Sequence, residues 1–122
     1  MVLMEISGIL IFNSIMGYGT KNVSGNILHL LNENYQMFFG NSDVFNSSNL
    51  PTRQIDVPQQ NNSTDCGLYM LQFVESFFKN PIENYEEPCS LKNWFGGEDI
   101  SLKRAKIKQL IKQMAVRYRL RK

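Results

Sequence analysis

Val57-Pro58-Gln59-Gln60-Asn61-Asn62-Ser63-Thr64-Asp65-Cys66-Gly67-Leu68-Tyr69 is a polar loop that runs into a helix with a cysteine in its first turn. Gln59 to Asp65 carry only amides, hydroxyls and one carboxylate, groups that bond nearby backbone and give a strand nothing to bury. From Gly67 the character reverses. Leu68, Tyr69, Leu71, Phe73, Val74, Phe77 and Phe78 recur at spacings of three and four, the period of a helix. An apolar arc that wide predicts a helix buried on most sides. Ser63, Thr64 and Asp65 are all good N-cap residues, so the helix is expected to start within a residue of Cys66 and to end near Phe78, before Asn80-Pro81. A thiol there sits where the helix macrodipole favours the thiolate, and Gly67 beside it allows close approach. Read singly, a cysteine in such a place is more often a small, inert core residue.

The rest of the chain sets the frame. Its 122 residues suffice for one domain or part of one, and 43% hydrophobic against 20% charged residues, with eight Phe, is a globular composition. Two cysteines, Cys66 and Cys89, are too few for a disulfide framework, which points to a reducing compartment, cytosol or nucleus. No segment has the length of a membrane span, and the first 20 residues lack the basic start of a secretory signal. The net charge of +2 is uneven: residues 101–122 hold nine Lys/Arg and no acid, whereas residues 1–100 hold four basic and eleven acidic residues. Such a basic helix can contact nucleic acid or an acidic partner, but it reads more simply as a solvated face.

Met4 to Phe12 reads as a strand ending in Ile9-Leu10-Ile11-Phe12, a run that suits a strand covered on both faces with neighbours on both sides. The chain thus begins abruptly, as though an N-terminal half were missing or replaced. Asn13-Ser14 ends that strand, and Gly17-Tyr18-Gly19 turns. Ser24 is the expected cap of a helix over residues 25–36 with its inner stripe at Ile27, Leu28, Leu31 and Tyr35. The sole histidine, His29, falls on the other side with Asn32, Glu33 and Gln36, a face expected to be wet. Phe38 to Leu50 reads as a mobile Asn/Ser-rich loop, Arg53 to Val57 as a short half-buried strand stopped by Pro58, and Ile82 to Pro88 as an irregular acidic stretch. Leu91 to Phe95 is placed to anchor Trp94 and Phe95 in the core. A last helix is expected over Leu102 to Met114, with residues 115–122 as a basic tail. No internal repeat appears.

A cysteine protease needs a thiolate, a histidine, a group that orients the imidazole, and donors for the oxyanion. Cys66 is the candidate nucleophile, Gln60 a candidate oxyanion donor six residues earlier, and Asn13, at a strand end, a candidate imidazole orienter. Alone, Gln60 is a loop amide bonding its own backbone, Asn13 a turn residue and His29 a surface residue. Together, Pro58-Gln59-Gln60-x5-Cys66-Gly67 with Asp65 resembles the nucleophile segment of the SUMO (sentrin)-specific, Ulp-type cysteine proteases. The resemblance lies nearest the divergent branch of human sentrin-specific proteases six and seven. It continues through Leu71-Gln72-Phe73-Val74-Glu75-Ser76-Phe77-Phe78-Lys79-Asn80-Pro81-Ile82 and Leu91-Lys92-Asn93-Trp94-Phe95 into the basic final helix. Roughly residues 9–114 can be laid on the C-terminal half of that catalytic domain.

The resemblance implies an α+β, papain-like fold, here its C-terminal portion: a few strands packed with about three helices across one partial catalytic domain, residues 1–122. It implies Cys66 as nucleophile, Gln60 in the oxyanion hole, no cofactor or metal, a nuclear or cytoplasmic location, and SUMO or another ubiquitin-like modifier as partner. Asn13 stands where the family's triad Asp is expected. An amide can accept from an imidazole but stabilises imidazolium poorly, and where Asp is the native orienter that exchange costs about 10⁴ in rate. The family histidine, in a His-Trp pair on the preceding strand, has no counterpart, and Trp94 matches a different family tryptophan. Three readings follow: a deSUMOylating peptidase present as a fragment lacking its histidine and therefore nearly inactive alone; a remnant that binds a ubiquitin-like protein weakly; and, for the tail, a basic helix on an acidic partner.

Overall fold

The structure, a computed structural model, describes residues 8–17, 19–20, 22–41, 43–82 and 90–121. It is α+β, with the order β1 (Ile9–Phe12), α1 (Val23–Phe39), β2 (Thr52–Ile55), α2 (Cys66–Lys79) and α3 (Gly97–Arg119). The acidic stretch beyond Ile82, the first residues of the Met4–Phe12 run, and Cys89 lie outside the described residues.

β1 and β2 pair in parallel, Ile9 opposite Thr52 through Phe12 opposite Ile55, so α1 is the crossover a parallel pair requires. Both strands consequently end on the same side of the molecule. Ile9 N–H donates to Pro51 O at 2.9 Å at one end of the ladder, and at the other Asp56 bridges to Ser90, with Leu91 N–H donating to Asp56 O at 2.7 Å. The expectation of a fully covered strand is corrected: only Ile9 of β1 is buried, and among the described residues β2 is the one strand paired with it.

α1 extends beyond 25–36 at both ends. Its N-cap is Asn22, in the left-handed region at φ 68°, and Ser24 lies inside the helix. It ends at Gly40, whose φ of 76° is open to glycine and whose N–H donates to Gln36 O at 2.9 Å. Ile27, Leu28, Leu31 and Tyr35 are its half-buried side, as expected. The loop that follows bonds back to the helix. The side chain of Asn32 accepts from Phe45 N–H and donates to Phe45 O, both at 2.8 Å, and Tyr35 meets the Phe45 ring edge-on. The Asn32 side of α1 is therefore not uniformly wet.

The core is Ile55, Val57, Tyr69, Phe73 and Ile100, with Phe12, Leu68, Leu91, Trp94 and Phe95 packed on it. Phe73 touches the rings of Phe12, Tyr69 and Phe95 at centroid distances of 5.4–6.2 Å, so Trp94 and Phe95 anchor as the sequence predicts. α2 starts and stops where expected, but its burial is narrower. Only Tyr69, Phe73 and Ser76, one stripe at spacings of four and three, are buried, and Phe78 is 78% exposed. Met70, Val74, Phe77 and Phe78 instead line an open apolar groove of about 490 Å³ with Leu10 and Phe12.

α3 is also longer than 102–114. It starts at Gly97, where Asp99 accepts from Gly96 N–H at 2.8 Å, and it carries Arg117 and Arg119 in its last turn, so those residues of the expected tail are helical. Ile100, Lys103 and Ile107 face the body. The expected stripe at Leu110, Ile111 and Met114 is exposed, whereas Lys103 and Arg104, which pair with Glu75 and Asp65, lie in the first two turns of α3.

Candidate functional site

The parallel pairing brings two turns together. The chain leaves β1 through Asn13-Ser14 and leaves the β2 strand through Val57, completely buried, and Pro58, also buried. Those two fixed exits hold the loops that carry Gln59 and Gln60 against Ser14. Gln60 N–H donates to Ser14 O at 2.9 Å, and Ser14 Oγ, itself buried, donates to Gln60 Oε1 at 2.7 Å. Gln59 Nε2 donates to Asn13 O at 2.8 Å and to Val57 O at 3.0 Å. Asn13 and Gln60, 47 positions apart in sequence, are thereby brought to one edge.

The loop between Gln60 and Cys66 is shaped from within. Gln60 Nε2 donates to Asn62 O at 2.5 Å, and Asn62 Oδ1 accepts from Thr64 N–H and Asp65 N–H, each at 2.9 Å, an Asx-type turn that delivers the chain to the start of α2. Asp65 is the N-cap residue, though its side chain caps nothing. Its Oδ2 accepts from Asn62 Nδ2 at 3.0 Å and its Oδ1 from Arg104 of α3. The first intrahelical backbone bond is Tyr69 N–H to Asp65 O at 3.0 Å, leaving the N–H groups of Cys66, Gly67 and Leu68 ahead of the helical ladder. Cys66 is exposed, and the position a Cβ would take on Gly67 meets no atom within 4 Å.

Behind the loop, the Tyr69 hydroxyl donates to Gln59 O at 3.3 Å. Burial, then the negative charge of Asp65, pushes that phenol above its ordinary value, so it stays a donor. Asn13 Oδ1, the atom that would accept from an imidazole, accepts from Ile15 N–H at 3.1 Å. His29 is not in this cluster of bonds; it is exposed on α1 with Nε2 3.3 Å from Glu33. The apolar groove is no part of the arrangement, since none of Asn13, Gln60 or Cys66 lines it. Among the described residues no three of His, Cys, Asp and Glu could together hold a metal ion.

The cluster thus holds an exposed thiol at a helix N-terminus, a braced amide side chain six residues before it and a strand-end amide. Residues 4–119 match the model of the Ulp1 protease family, C-terminal catalytic domain. The chain belongs to this family. It is similar to human sentrin-specific protease 7, at 39% identity over 103 residues, 84% of this chain and 10% of that protein. Mouse sentrin-specific protease 6 is 38% identical over the same length, 84% of this chain and 9% of its own. The probable ubiquitin-like-specific protease 2A of Arabidopsis thaliana is 30% identical over 77 residues, 57% of this chain and 10% of its own. The chain spans about a tenth of the length of these curated relatives. The Ulp1-family match, residues 4–119, is wider than the 9–114 expected and takes in all of α3.

Three residues of this cluster carry no local signal of their bonds or only a faint one. Gln59 and Ser14 supply the cross-loop bonds, and Arg104 reaches Asp65 from α3. The Gln-Gln pair after a buried Val-Pro was a visible signal. Arg104 had none, because one cation among nine in a basic run is not distinguished by its neighbours.

Proposed function

We propose that this chain carries the nucleophile of a cysteine-type peptidase that cleaves after the C-terminal Gly-Gly of SUMO or another ubiquitin-like modifier. The observation that carries the reading is the position of Cys66, exposed at the first residue of α2 within a Ulp1-family segment. Cys66 Sγ attacks the modifier's terminal carbonyl carbon, and the carbonyl oxygen takes up the negative charge. Gln60 donates to that oxygen in this reading. An amide nitrogen has two N–H groups, and one is engaged by Asn62 O. The unladdered N–H groups at the start of α2 add donors and a favourable dipole. Collapse of this intermediate breaks the bond to the leaving amine and leaves a thioester, which water then hydrolyses.

Both collapse and hydrolysis need an imidazole to move protons. The one histidine of this chain, His29, is engaged with Glu33 on α1, and Asn13 replaces the expected carboxylate. We therefore read the chain by itself as nearly inactive in turnover. The test is hydrolysis of a SUMO C-terminal fluorogenic amide at micromolar chain. Release at the buffer background is expected; multiple turnovers that vanish in Cys66→Ser would overturn the inactivity and keep the nucleophile.

The placement of His29 favours a second reading, a remnant that only binds the modifier. Titration of labelled SUMO with the chain, followed by NMR, separates the two. Saturating shifts with no adduct at Cys66 on a SUMO electrophile would support the binder, and no shifts at millimolar chain would remove it.

A further inference from the structure

Two adjacent cations of α3 take two acids, one inside α2 and one at its N-cap. Lys103, with its side chain 14% exposed, pairs with Glu75, and Arg104 pairs with Asp65. The acids are ten residues apart, so α3 is pinned at two places about 15 Å apart along α2. The Glu75 contact is a helix-to-helix latch, since Lys79 shares that carboxylate. The Asp65 contact differs, because Asp65 precedes Cys66 directly. Its side chain is only 15% exposed, and both oxygens are occupied, one by Arg104 and one by Asn62.

We propose that Arg104 is a positioning residue for the Cys66 nucleophile: by holding and neutralising the Asp65 carboxylate it keeps an uncompensated negative charge from standing beside the thiolate. This rests on reading Cys66 as the nucleophile. The carboxylate itself belongs at this place, since a negative N-cap suits the helix dipole. Left bare, however, it opposes the thiolate and the oxyanion alike. A neutral residue would lose the ion pair that ties α3 to this turn, so the arrangement keeps the acid and cancels its charge. The other charges around this end of α2 are few. Lys103 is taken by Glu75, the loop from Gln59 to Thr64 has no ionisable residue, and Tyr69 stays neutral.

The measurement is the rate of Cys66 alkylation by iodoacetamide between pH 6 and 9, in a Cys89→Ser background and with folding checked by circular dichroism. Arg104→Met is expected to slow the reaction at pH 7 by about two- to fivefold, the scale of one unit charge roughly 4–10 Å away screened by water, and to displace the rate–pH curve upward. Arg104→Lys should restore it. Asp65→Asn alone should quicken it, and Asp65→Asn/Arg104→Met should return near the starting rate. A latch that is only structural predicts otherwise: the double variant no better than Arg104→Met, and an unmoved curve for Asp65→Asn. Either result overturns the proposal, and Asp65→Asn decides even where Arg104→Met does not fold. Labelling by a SUMO C-terminal vinyl sulfone, run in parallel, tells the two readings apart. The charge pattern without labelling counts against the protease reading alone, and labelling without the pattern counts against Arg104.

Discussion

Ser14 and Gln60 are joined twice: the Gln60 N–H to the Ser14 carbonyl at 2.9 Å and the Ser14 hydroxyl to Gln60 Oε1 at 2.7 Å. Through this pair the turn after β1 and the loop before α2 act as one piece, and the amide proposed to face the oxyanion is oriented by a residue 46 positions away. Ser14→Ala removes the hydroxyl and leaves a part-buried amide oxygen without that donor. The expected cost is about 1 kcal/mol, read as a lower urea midpoint at unchanged slope. Labelling of Cys66 by a SUMO electrophile should slow as well. A midpoint equal to wild type would show that the bond does not brace the loop.

Phe73 and Phe78 lie five residues apart on α2 in opposite circumstances. Phe73 is 5% exposed among three other rings, whereas Phe78 is 78% exposed at the rim of the apolar groove. Phe73→Ala is expected to cost about 3–5 kcal/mol, a large part of any domain's stability, and Phe78→Ala under about 0.5 kcal/mol. Equal losses in chemical denaturation would mean that α2 packs by another face.

Glycines of α1 offer a paired test of backbone conformation. Gly40 has a φ of 76°, so Gly40→Ala is expected to destabilise by about 1–2 kcal/mol. Gly25 lies inside the helix with open space around it, and Gly25→Ala should stabilise by about 0.5–1 kcal/mol. Thermal melting of the two variants should move in opposite directions.

Acid should weaken the hold of α3 on α2. The ammonium of Lys103, then that of Lys79, bonds to the Glu75 carboxylate and lowers its pKa to about 2 from an ordinary 4.5. A carboxyl lowered in the folded state stabilises it fully above the ordinary value, and that contribution is lost as pH falls from about 4.5 through about 2. The melting-temperature gap between wild type and Glu75→Gln is therefore expected to be largest above pH 5 and to close by pH 2. A gap constant with pH would mean that the pairing is not formed.

Much of this molecule could be read from its residues, and the misses share a cause. The loop–Cys66–helix boundary was legible because capping residues, a period of three and four and the Asn80-Pro81 stop are local signals. The strands were legible in place, and Trp94 and Phe95 in role. The overestimated burial of α2 and of the Leu110-Ile111-Met114 stripe arose because periodicity shows which face is apolar but not what lies against it. The caps of α1 were misplaced because Asn22 and Gly40 act through left-handed backbone, which the more obvious Ser24 conceals. Within the site, Cys66, Gln60 and Asn13 came from spacing and family likeness. The bonds of Ser14 to Gln60 and of Arg104 to Asp65 span 46 and 39 positions, and no local pattern encodes them.

The most direct test of the central claim, that Cys66 is the nucleophile for a modifier's C-terminus, is peptide mapping after incubation with a SUMO C-terminal vinyl sulfone. A slow, single adduct on Cys66 is expected, absent in Cys66→Ser and slower in Gln60→Ala. An adduct on Cys89, or none at all from folded chain, would contradict it.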